Sequence, residues 1–286
     1  MGTPSAAFLG RTTSPICCVC GTPTVFQFEA QFIQRHTAAL HLCPSCEFLC
    51  ASGVTWLDEA YSNAIAVTDT GIATRNWTTA EALHLFAYFA GLRDKRGLDL
   101  GGGHGLLVRI LRDFGLDFRW SDPHAQNIFA RGCEDDGGSY DWLTMIEVFE
   151  HLENPRAFLE EAVARYSPGS IVFTTLPRPE LIPDRSWWYW SFETGQHISF
   201  VTQKTLRTLA SRLGFELVSR GMFHLLTRQR SEGTAFRIAT SRMKRILGPI
   251  LRFRGPSLTL DDHRRLVKRI GGPTPTSSCG TTDRPD

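Results

Sequence analysis

Short apolar segments alternate with amphipathic segments through most of the chain, and this alternation predicts the secondary structure. The apolar segments end at charged residues or glycines, as buried strands do, whereas the amphipathic segments repeat apolar residues at helical spacing. The predicted strands are 97–100, 117–121, 140–146, 170–176, 215–219 and 222–227, with a weak strand near 131–134. The predicted helices are 79–91, 106–114, 126–130, 155–166 and 203–213, and another begins at residue 56.

Alternation of strands and helices with short connections predicts an α/β fold, a doubly wound and mostly parallel sheet of seven strands. The last two strands are joined too closely for a crossover, so they must run antiparallel. Residues 69–76 are predicted to form a loop. Thr78 or Thr79 is predicted to cap the helix that follows, with Glu81 in its first turn.

Three glycines at alternate positions follow the first strand of this sheet. Asp99 lies near the end of the strand, and Gly101, Gly103 and Gly105 precede the next helix. The glycines let the backbone turn tightly and approach a ligand that lies over the helix N-terminus, an arrangement that binds an adenosine-containing cofactor. A dinucleotide-binding loop would need glycine at position 106, where this chain has Leu106.

Asp122 ends the second strand, where a carboxylate can accept hydrogen bonds from both ribose hydroxyls of an adenosine. The alternative is that Asp122 forms a turn before Pro123. For Asp99 the alternative to ligand contact is a strand-end residue that caps the glycine loop.

Six of the eight cysteines lie in the first fifty residues, and four of them form two C-x-x-C pairs separated by enough chain for a hairpin. Four thiolates in two tight turns suit tetrahedral zinc, with zinc–sulfur distances of about 2.3 Å. Because the protein supplies all four ligands, this zinc would be structural. Buried or redox-active cysteines are the alternative, and Cys18 and Cys50 are spare thiols. The predicted ligands are Cys17, Cys20, Cys43 and Cys46.

The acidic residue followed by G-x-G-x-G resembles motif I of class I S-adenosylmethionine-dependent methyltransferases. Residues 147–155, which read E-V-F-E-H-L-E-N-P, resemble a block found in many small-molecule methyltransferases. The resemblance implies a Rossmann-like methyltransferase sheet and S-adenosylmethionine as the cofactor. It further implies that Asp99 meets the methionyl ammonium directly or through water, and that Glu147 lies beside the methionine part. His151 would hold the loop by hydrogen bonds.

Residues 196–200, Q-H-I-S-F, resemble the E-H-[FL]-S-Y sequence of deoxysugar C-methyltransferases, whose N-terminal zinc modules also carry paired cysteines. The resemblance implies that His197 lies beside the acceptor and serves as the base, and the alternative is a histidine that ties the loop. Gln196 replaces the acidic neighbour of that family, so Glu193 is a candidate to take its place. Tyr61 falls where the family has a substrate or cofactor tyrosine.

Four consecutive aromatic residues, 187–190, cannot all face a core from one short segment. We therefore expect some of them to line a pocket mouth or lid, a surface that suits sugar rings. Packing within a lid and a dimer contact are the alternatives.

Composition places the chain among ordinary globular proteins, with 42% hydrophobic and 21% charged residues. No apolar run is long enough for a transmembrane helix, and residues 1–15 lack the features of a signal peptide, so we expect the protein to be in the cytoplasm.

The net charge of +2 conceals a basic segment, 228–270. A solvated helical face is the expected role of this segment, with weak contact to a membrane surface or an anionic substrate as alternatives. No nucleic-acid-binding signature accompanies it, and no nucleic acid is expected.

The predicted domains are a zinc-ribbon module (1–58), a helical connector (59–95), the methyltransferase domain (96–227), a basic helical arm (228–270) and a disordered tail (271–286).

The expected reaction is methyl transfer from S-adenosylmethionine to a small molecule, a sugar or sugar nucleotide, at carbon or oxygen. The alternatives are a nicotinamide dehydrogenase, a non-catalytic cofactor-binding protein and a nucleic-acid methyltransferase. The last of these lacks its usual Asn/Asp-Pro-Pro-aromatic motif after the strand that precedes Glu147.

Overall fold

The computed structural model of the protein describes residues 14–61, 69–251 and 256–271. The N-terminal elements are β1 (Val25–Phe32), β2 (His36–Leu42), β3 (Leu49–Ser52), α1 (Leu57–Ala60) and α2 (Ile72–Ala90). The central elements are β4 (Gly97–Leu100), α3 (Leu106–Asp113), β5 (Phe118–Ser121), β6 (Trp142–Met145), α4 (Pro155–Tyr166), β7 (Ser170–Thr174), β8 (Ser199–Phe200), α5 (Gln203–Arg212), β9 (Glu216–Arg220) and β10 (Phe223–Thr227). The last elements are α6 (Arg230–Ala239), α7 (Lys244–Leu251) and α8 (Thr259–Gly271).

The central sheet has the order β5-β4-β6-β7-β10-β9. Strands β5, β4, β6 and β7 are parallel, and β10 is antiparallel to both of its neighbours. The doubly wound fold class and the antiparallel final pair are therefore confirmed. The described residues form six strands of this sheet, because the weak strand expected near 131–134 is reduced to one bridge between Trp120 and Glu134.

The predicted helix at 126–130 was wrong, since this segment forms bends. The side chain of Asn127 accepts a hydrogen bond from the Ala130 N–H at 2.9 Å and donates to the Ala130 carbonyl at 2.9 Å. These local hydrogen bonds compete with those of a helix.

Helix α2 begins at Ile72, well before the predicted start at residue 79, so Arg75 and Asn76 are helical. The predicted loop at 69–76 and the predicted Thr78 or Thr79 cap were therefore wrong. The Thr78 hydroxyl donates instead to the Thr74 carbonyl one turn earlier, at 3.0 Å. The helix that was predicted from residue 56 covers Leu57–Ala60, and residues 62–68 lie outside the described part.

The expected hairpin between the cysteine pairs is formed by β1 and β2, and β3 extends it. Strand β8, which belongs to the central part of the chain, completes this sheet in the order β1-β2-β3-β8. The pairing joins Leu49 to Phe200 and Cys50 to Ser199. A shared apolar cluster supports the pairing and includes the buried Phe32, Trp56, Tyr189, Trp190, Ile198 and Phe200.

The basic arm is attached to the central domain. Helix α6 buries Phe236 in the same core as α2. On α8, Asp262 is 4% exposed and pairs with the equally buried Arg112 through two contacts of 2.7 Å. The exposed cations of α8 are Arg264, Arg265, Lys268 and Arg269.

Within residues 14–61, 69–251 and 256–271, none of the helices combines the length and hydrophobicity that a bilayer crossing needs. Residues 252–255 of the predicted arm and the tail beyond residue 271 lie outside the described residues.

Candidate active site

The glycine loop joins β4 to α3 and has the left-handed backbone conformation that glycine favours. The φ angles are +69° at Gly101, +52° at Gly103 and +85° at Gly105, which is the N-cap of α3. A Cβ on Gly101 would lie 2.5 Å from Val148, whereas a Cβ on Gly103 would meet nothing within 4 Å. The described residues thus leave space beside Gly103, and its place in a cofactor loop stays a prediction.

Asp122, at the end of β5, ties the neighbouring strand to this loop. Its Oδ2 accepts a hydrogen bond from the Gly103 N–H at 2.8 Å. Its Oδ1 accepts from the N–H groups of His124 and Ala125 at 2.7 and 2.9 Å. The turn-forming role is therefore present. A carboxylate has lone pairs for further donors, so the predicted ribose contact is compatible with these bonds.

Asp99 is 2% exposed at the end of β4 and lies beneath the loop. Its Oδ1 accepts a hydrogen bond from the Thr144 hydroxyl at 2.5 Å. Burial raises the pKa of this carboxyl to about 7, because removal from water disfavours the charged form. A cation beside Asp99 would favour ionisation, so this site is suited to an ammonium group.

Glu147 follows β6 at the same sheet edge, with an unusual φ of +56°. Its N–H donates to the Thr174 hydroxyl at 2.8 Å, and its Oε2 pairs with Arg75 Nε at 3.0 Å. Arg75 also pairs with Asp69 at 2.6 Å. Burial raises the pKa of Glu147, and Arg75 opposes that effect. The sequence interpretation did not assign a role to Arg75, which the early start of α2 brings to this edge.

His197 lies beside Tyr189 and His151, with ring centroids 4.7 and 5.1 Å away. Its Nδ1 is 2.7 Å from the Tyr189 carbonyl oxygen. Because a carbonyl oxygen only accepts, Nδ1 must be the donor, and the lone pair of the neutral ring is on Nε2. The loop-tying role and an available basic nitrogen therefore coexist in His197.

Glu150 is the carboxylate that the structure brings to the histidines. Its side chain is 1% exposed, and its Oε1 accepts a hydrogen bond from the Tyr189 hydroxyl at 2.8 Å. One carboxylate oxygen of Glu150 and one ring nitrogen each of His151 and His197 lie within 4.8 Å of one another. The sequence interpretation gave Glu150 no role.

Glu193, the carboxylate expected beside His197, is exposed. Among the described residues it has neither a hydrogen bond nor an ion pair, and its catalytic role stays a prediction. The Gln196 side chain donates to the Ala60 carbonyl at 2.9 Å, so this position links the loop to α1.

His151 and Tyr61 form the other side of this region. His151 Nδ1 is 3.0 Å from the Gln196 carbonyl oxygen, which agrees with the loop-holding role expected from the sequence. Burial lowers the pKa of His151 and raises that of Tyr61. The Tyr61 ring stacks on His124 and meets the edge of His151.

The four consecutive aromatic residues divide between core and surface. Tyr189 and Trp190 are buried in the cluster shared with the N-terminal sheet, whereas Trp188 is 70% exposed. Trp187 is half-buried and packs against the same cluster. Packing within the fold therefore accounts for three of the four, and Trp188 is left for a surface role.

The four predicted zinc ligands come together in one cluster, with all Sγ atoms within 4.8 Å of one another. The Cys17–Cys46 and Cys20–Cys43 Sγ pairs are 3.6 and 3.3 Å apart. In a tetrahedral site with zinc–sulfur distances of about 2.3 Å, the sulfurs are about 3.8 Å apart. The donor set and spacing are therefore compatible with zinc.

The spare thiols lie outside this four-cysteine group. Cys18 Sγ is 3.7 Å from the Glu153 carbonyl oxygen, and Cys50 is on β3, where it pairs with Ser199. Cys133 is buried in the central core, and Cys279 lies outside the described residues.

Comparisons with known proteins place this geometry in a family. A family profile described as a methyltransferase domain matches residues 74–220, just over half of the 286 residues. A search of curated proteins found no match.

Several solved structures resemble the chain at low identity. Mitomycin 7-O-methyltransferase MmcR is 14% identical, with a TM-score of 0.43 over 62% of this chain and 60% of its own. The plantazolicin methyltransferase BpumL is 14% identical, with a TM-score of 0.41 over 67% of this chain and 86% of its own. OxaC is 19% identical, with a TM-score of 0.35, and the match covers 46% of this chain and 41% of OxaC. Similarity at this level carries no information about the acceptor. By the match to the family profile, the chain belongs to the methyltransferase domain family.

Proposed function

We propose that the protein transfers a methyl group from S-adenosylmethionine to a small-molecule acceptor, a sugar or sugar nucleotide. The observation that carries this proposal is the convergence of the open glycine loop, Asp122, Asp99 and Glu147 at one edge of the sheet. His151 is four residues beyond Glu147, and its ring packs against that of His197. His197 supplies a basic nitrogen to this region.

The residues at the sheet edge suit the parts of the cofactor. The open backbone at Gly103 leaves room for the nucleoside, and Asp122 beside it can accept from the ribose hydroxyls. Asp99 and Glu147 are the acidic residues for the methionine part, and ionisation of Asp99 would be favoured by the ammonium group. The cofactor supplies an electrophilic methyl group on a sulfonium.

His197 is the proposed base. The Tyr189 carbonyl fixes its Nδ1 as the donor, so the lone pair on Nε2 can take a proton from the acceptor. The Tyr189 hydroxyl in turn donates to Glu150, which orients the ring that packs against His197. Because Glu150 lies near both histidines, we propose it as the acidic partner of the base in addition to the sequence candidate Glu193.

The proposed sugar acceptor is supported by Trp188, whose exposed indole offers a flat apolar face for the C–H groups of a sugar ring. Lys268 and Arg269 are exposed cations of α8 that form no ion pair among the described residues, and we propose them for the phosphate groups of a sugar nucleotide. A structural zinc in the four-cysteine cluster completes the proposal. The zinc would stabilise the N-terminal sheet. Strand β8, which begins two residues after His197, pairs with β3 of this sheet.

Calorimetry with S-adenosylmethionine and its demethylated product tests cofactor binding, and labelled cofactor incubated with metabolite extracts tests transfer. We expect His197→Ala and His197→Asn to bind the cofactor as the wild type does, with turnover reduced about 10²–10⁴-fold. His197→Asn is the sharper variant, because its amide can still donate to the Tyr189 carbonyl while lacking a basic nitrogen. His263→Asn, on an exposed position of α8, serves as the control.

Full activity in His197→Asn would remove His197 from the mechanism. Cofactor binding without transfer to any metabolite would favour the non-catalytic binding protein. Absence of binding heat with folded protein would refute the proposal as a whole.

A further inference from the structure

Three groups that accept hydrogen bonds meet in the region of His197. They are the carboxylate of Glu150 and one ring nitrogen each of His151 and His197, which lie within 4.8 Å of one another. We call them the Glu–His–His cluster. It is separate from the four cysteines and has no thiolate.

Both histidines of the cluster are held in the same tautomer. His151 Nδ1 lies 3.0 Å from the Gln196 carbonyl oxygen, and His197 Nδ1 lies 2.7 Å from the Tyr189 carbonyl oxygen. Each Nδ1 must therefore be the donor, and each neutral ring keeps its lone pair on Nε2. Histidines that bind metals are commonly fixed in this way, with the other ring N–H donated to a carbonyl or carboxylate.

The carboxylate has one satisfied oxygen and one without a partner. Oε1 of Glu150 accepts from the Tyr189 hydroxyl at 2.8 Å, whereas the buried Oε2 has no hydrogen-bond partner among the described residues. A buried carboxylate oxygen without a donor or cation is unfavourable. The cluster therefore favours a positive charge among its three members.

We propose that the Glu–His–His cluster binds a divalent transition-metal cation. Two imidazoles and one carboxylate are a donor set for such cations, and three protein ligands leave coordination positions for water. The site itself rests on the contacts of Glu150, His151 and His197. Only its consequence for the reaction depends on the proposed function. A bound cation would occupy the lone pair of His197 that removes the proton, so it should inhibit transfer.

Titration of the zinc-loaded full chain with Co²⁺ tests the site, because the visible spectrum of Co²⁺ distinguishes thiolate from nitrogen and oxygen ligands. We expect one Co²⁺ per chain without thiolate-to-cobalt absorption. Glu150→Gln and His151→Gln should each weaken this binding at least tenfold, since each removes one ligand. Glu153→Gln changes an exposed carboxylate three residues further on and should bind Co²⁺ as the wild type does. Near-ultraviolet circular dichroism verifies that each variant is folded.

Absence of Co²⁺ binding, or binding with a thiolate spectrum only, would overturn the metal site. Equal binding by the wild type and by folded Glu150→Gln and His151→Gln would overturn it too. Neither result affects the proposed methyl transfer, which is measured separately without Co²⁺. If bound Co²⁺ accelerates transfer, the metal site stands and the assignment of His197 as the base fails.

Discussion

Gly195 offers a direct test of how the loop that carries His197 is held. Its φ is +68°, and its carbonyl accepts a hydrogen bond from the Trp56 indole N–H at 2.8 Å. A Cβ at this position would lie 2.6 Å from Ile33 Cγ1 and 2.9 Å from Trp56 Nε1. In Gly195→Ala either the loop or the side chains of Ile33 and Trp56 must therefore move.

The expected cost has two parts. The left-handed backbone costs a non-glycine residue about 1–2 kcal/mol. Overpacking a filled site adds about 1–3 kcal/mol, so the free energy of unfolding should fall by about 2–5 kcal/mol. Gly221→Ala is the matched control, because its φ is +61° and nothing lies within 4 Å of a Cβ there. The control should lose only the backbone part, about 1–2 kcal/mol.

Urea unfolding curves of both variants measure this difference, and turnover measures the displacement of His197. An error of about 1 Å in the position of a reacting group can cost about 10²-fold in rate. We expect that loss in Gly195→Ala with cofactor affinity unchanged, since the glycine loop is on another element. Equal destabilisation in the two variants, together with full turnover in Gly195→Ala, would refute the reasoning.

Two further predictions concern Asp99 and the cysteine cluster. The pKa of Asp99 is raised to about 7, and a cofactor ammonium favours the ionised form, so cofactor affinity should be full above pH 7. It should fall by up to about tenfold per pH unit below that value, as measured by calorimetry. In Cys43→Ser, zinc content should fall from about one equivalent to none, with loss of the sheet signal in circular dichroism and about 10²-fold lower turnover.

Each of these predictions has a matched variant. Asp99→Asn should remove the pH dependence of affinity between pH 6 and 8, and a wild-type affinity that is flat over this interval would contradict the argument. Cys50→Ser changes a spare thiol, so its zinc content should equal that of the wild type. A full equivalent of zinc in Cys43→Ser would show that Cys43 is no ligand.

Local sequence was sufficient to predict the bounds of helices and strands that are fixed by their own residues and by the residues next to them. Helix α4 begins at Pro155 as predicted, where the Asn154 side chain caps it by accepting from the Ala157 N–H at 3.0 Å. Strand β4 has the predicted bounds, because Gly97–Leu100 is fully buried between parallel neighbours and is followed at once by glycine. These signals act over a few residues.

Elements that depend on distant partners were predicted less well. The start of α2 was placed too late because its first turn is held by contacts of Arg75, which pairs with Asp69 and with Glu147 on another element. The weak strand near residue 131 has only one bridge, at Glu134. Periodicity contains no information about such partners.

Short-range spacing, together with the rule that parallel strands end at one edge, was enough to predict the parallel part of the sheet, the glycine loop and the grouping of the four cysteines. The surroundings of His197 depend instead on packing between distant segments. Strand β8 pairs with β3 of the cysteine module, and this brings residues 197–200 against elements that precede them by about 150 positions. The same packing buries Glu150 near His151 and His197 and leaves Glu193 exposed. Which carboxylate reaches a histidine depends on burial and on backbone pairing between distant segments, and no local pattern specifies that.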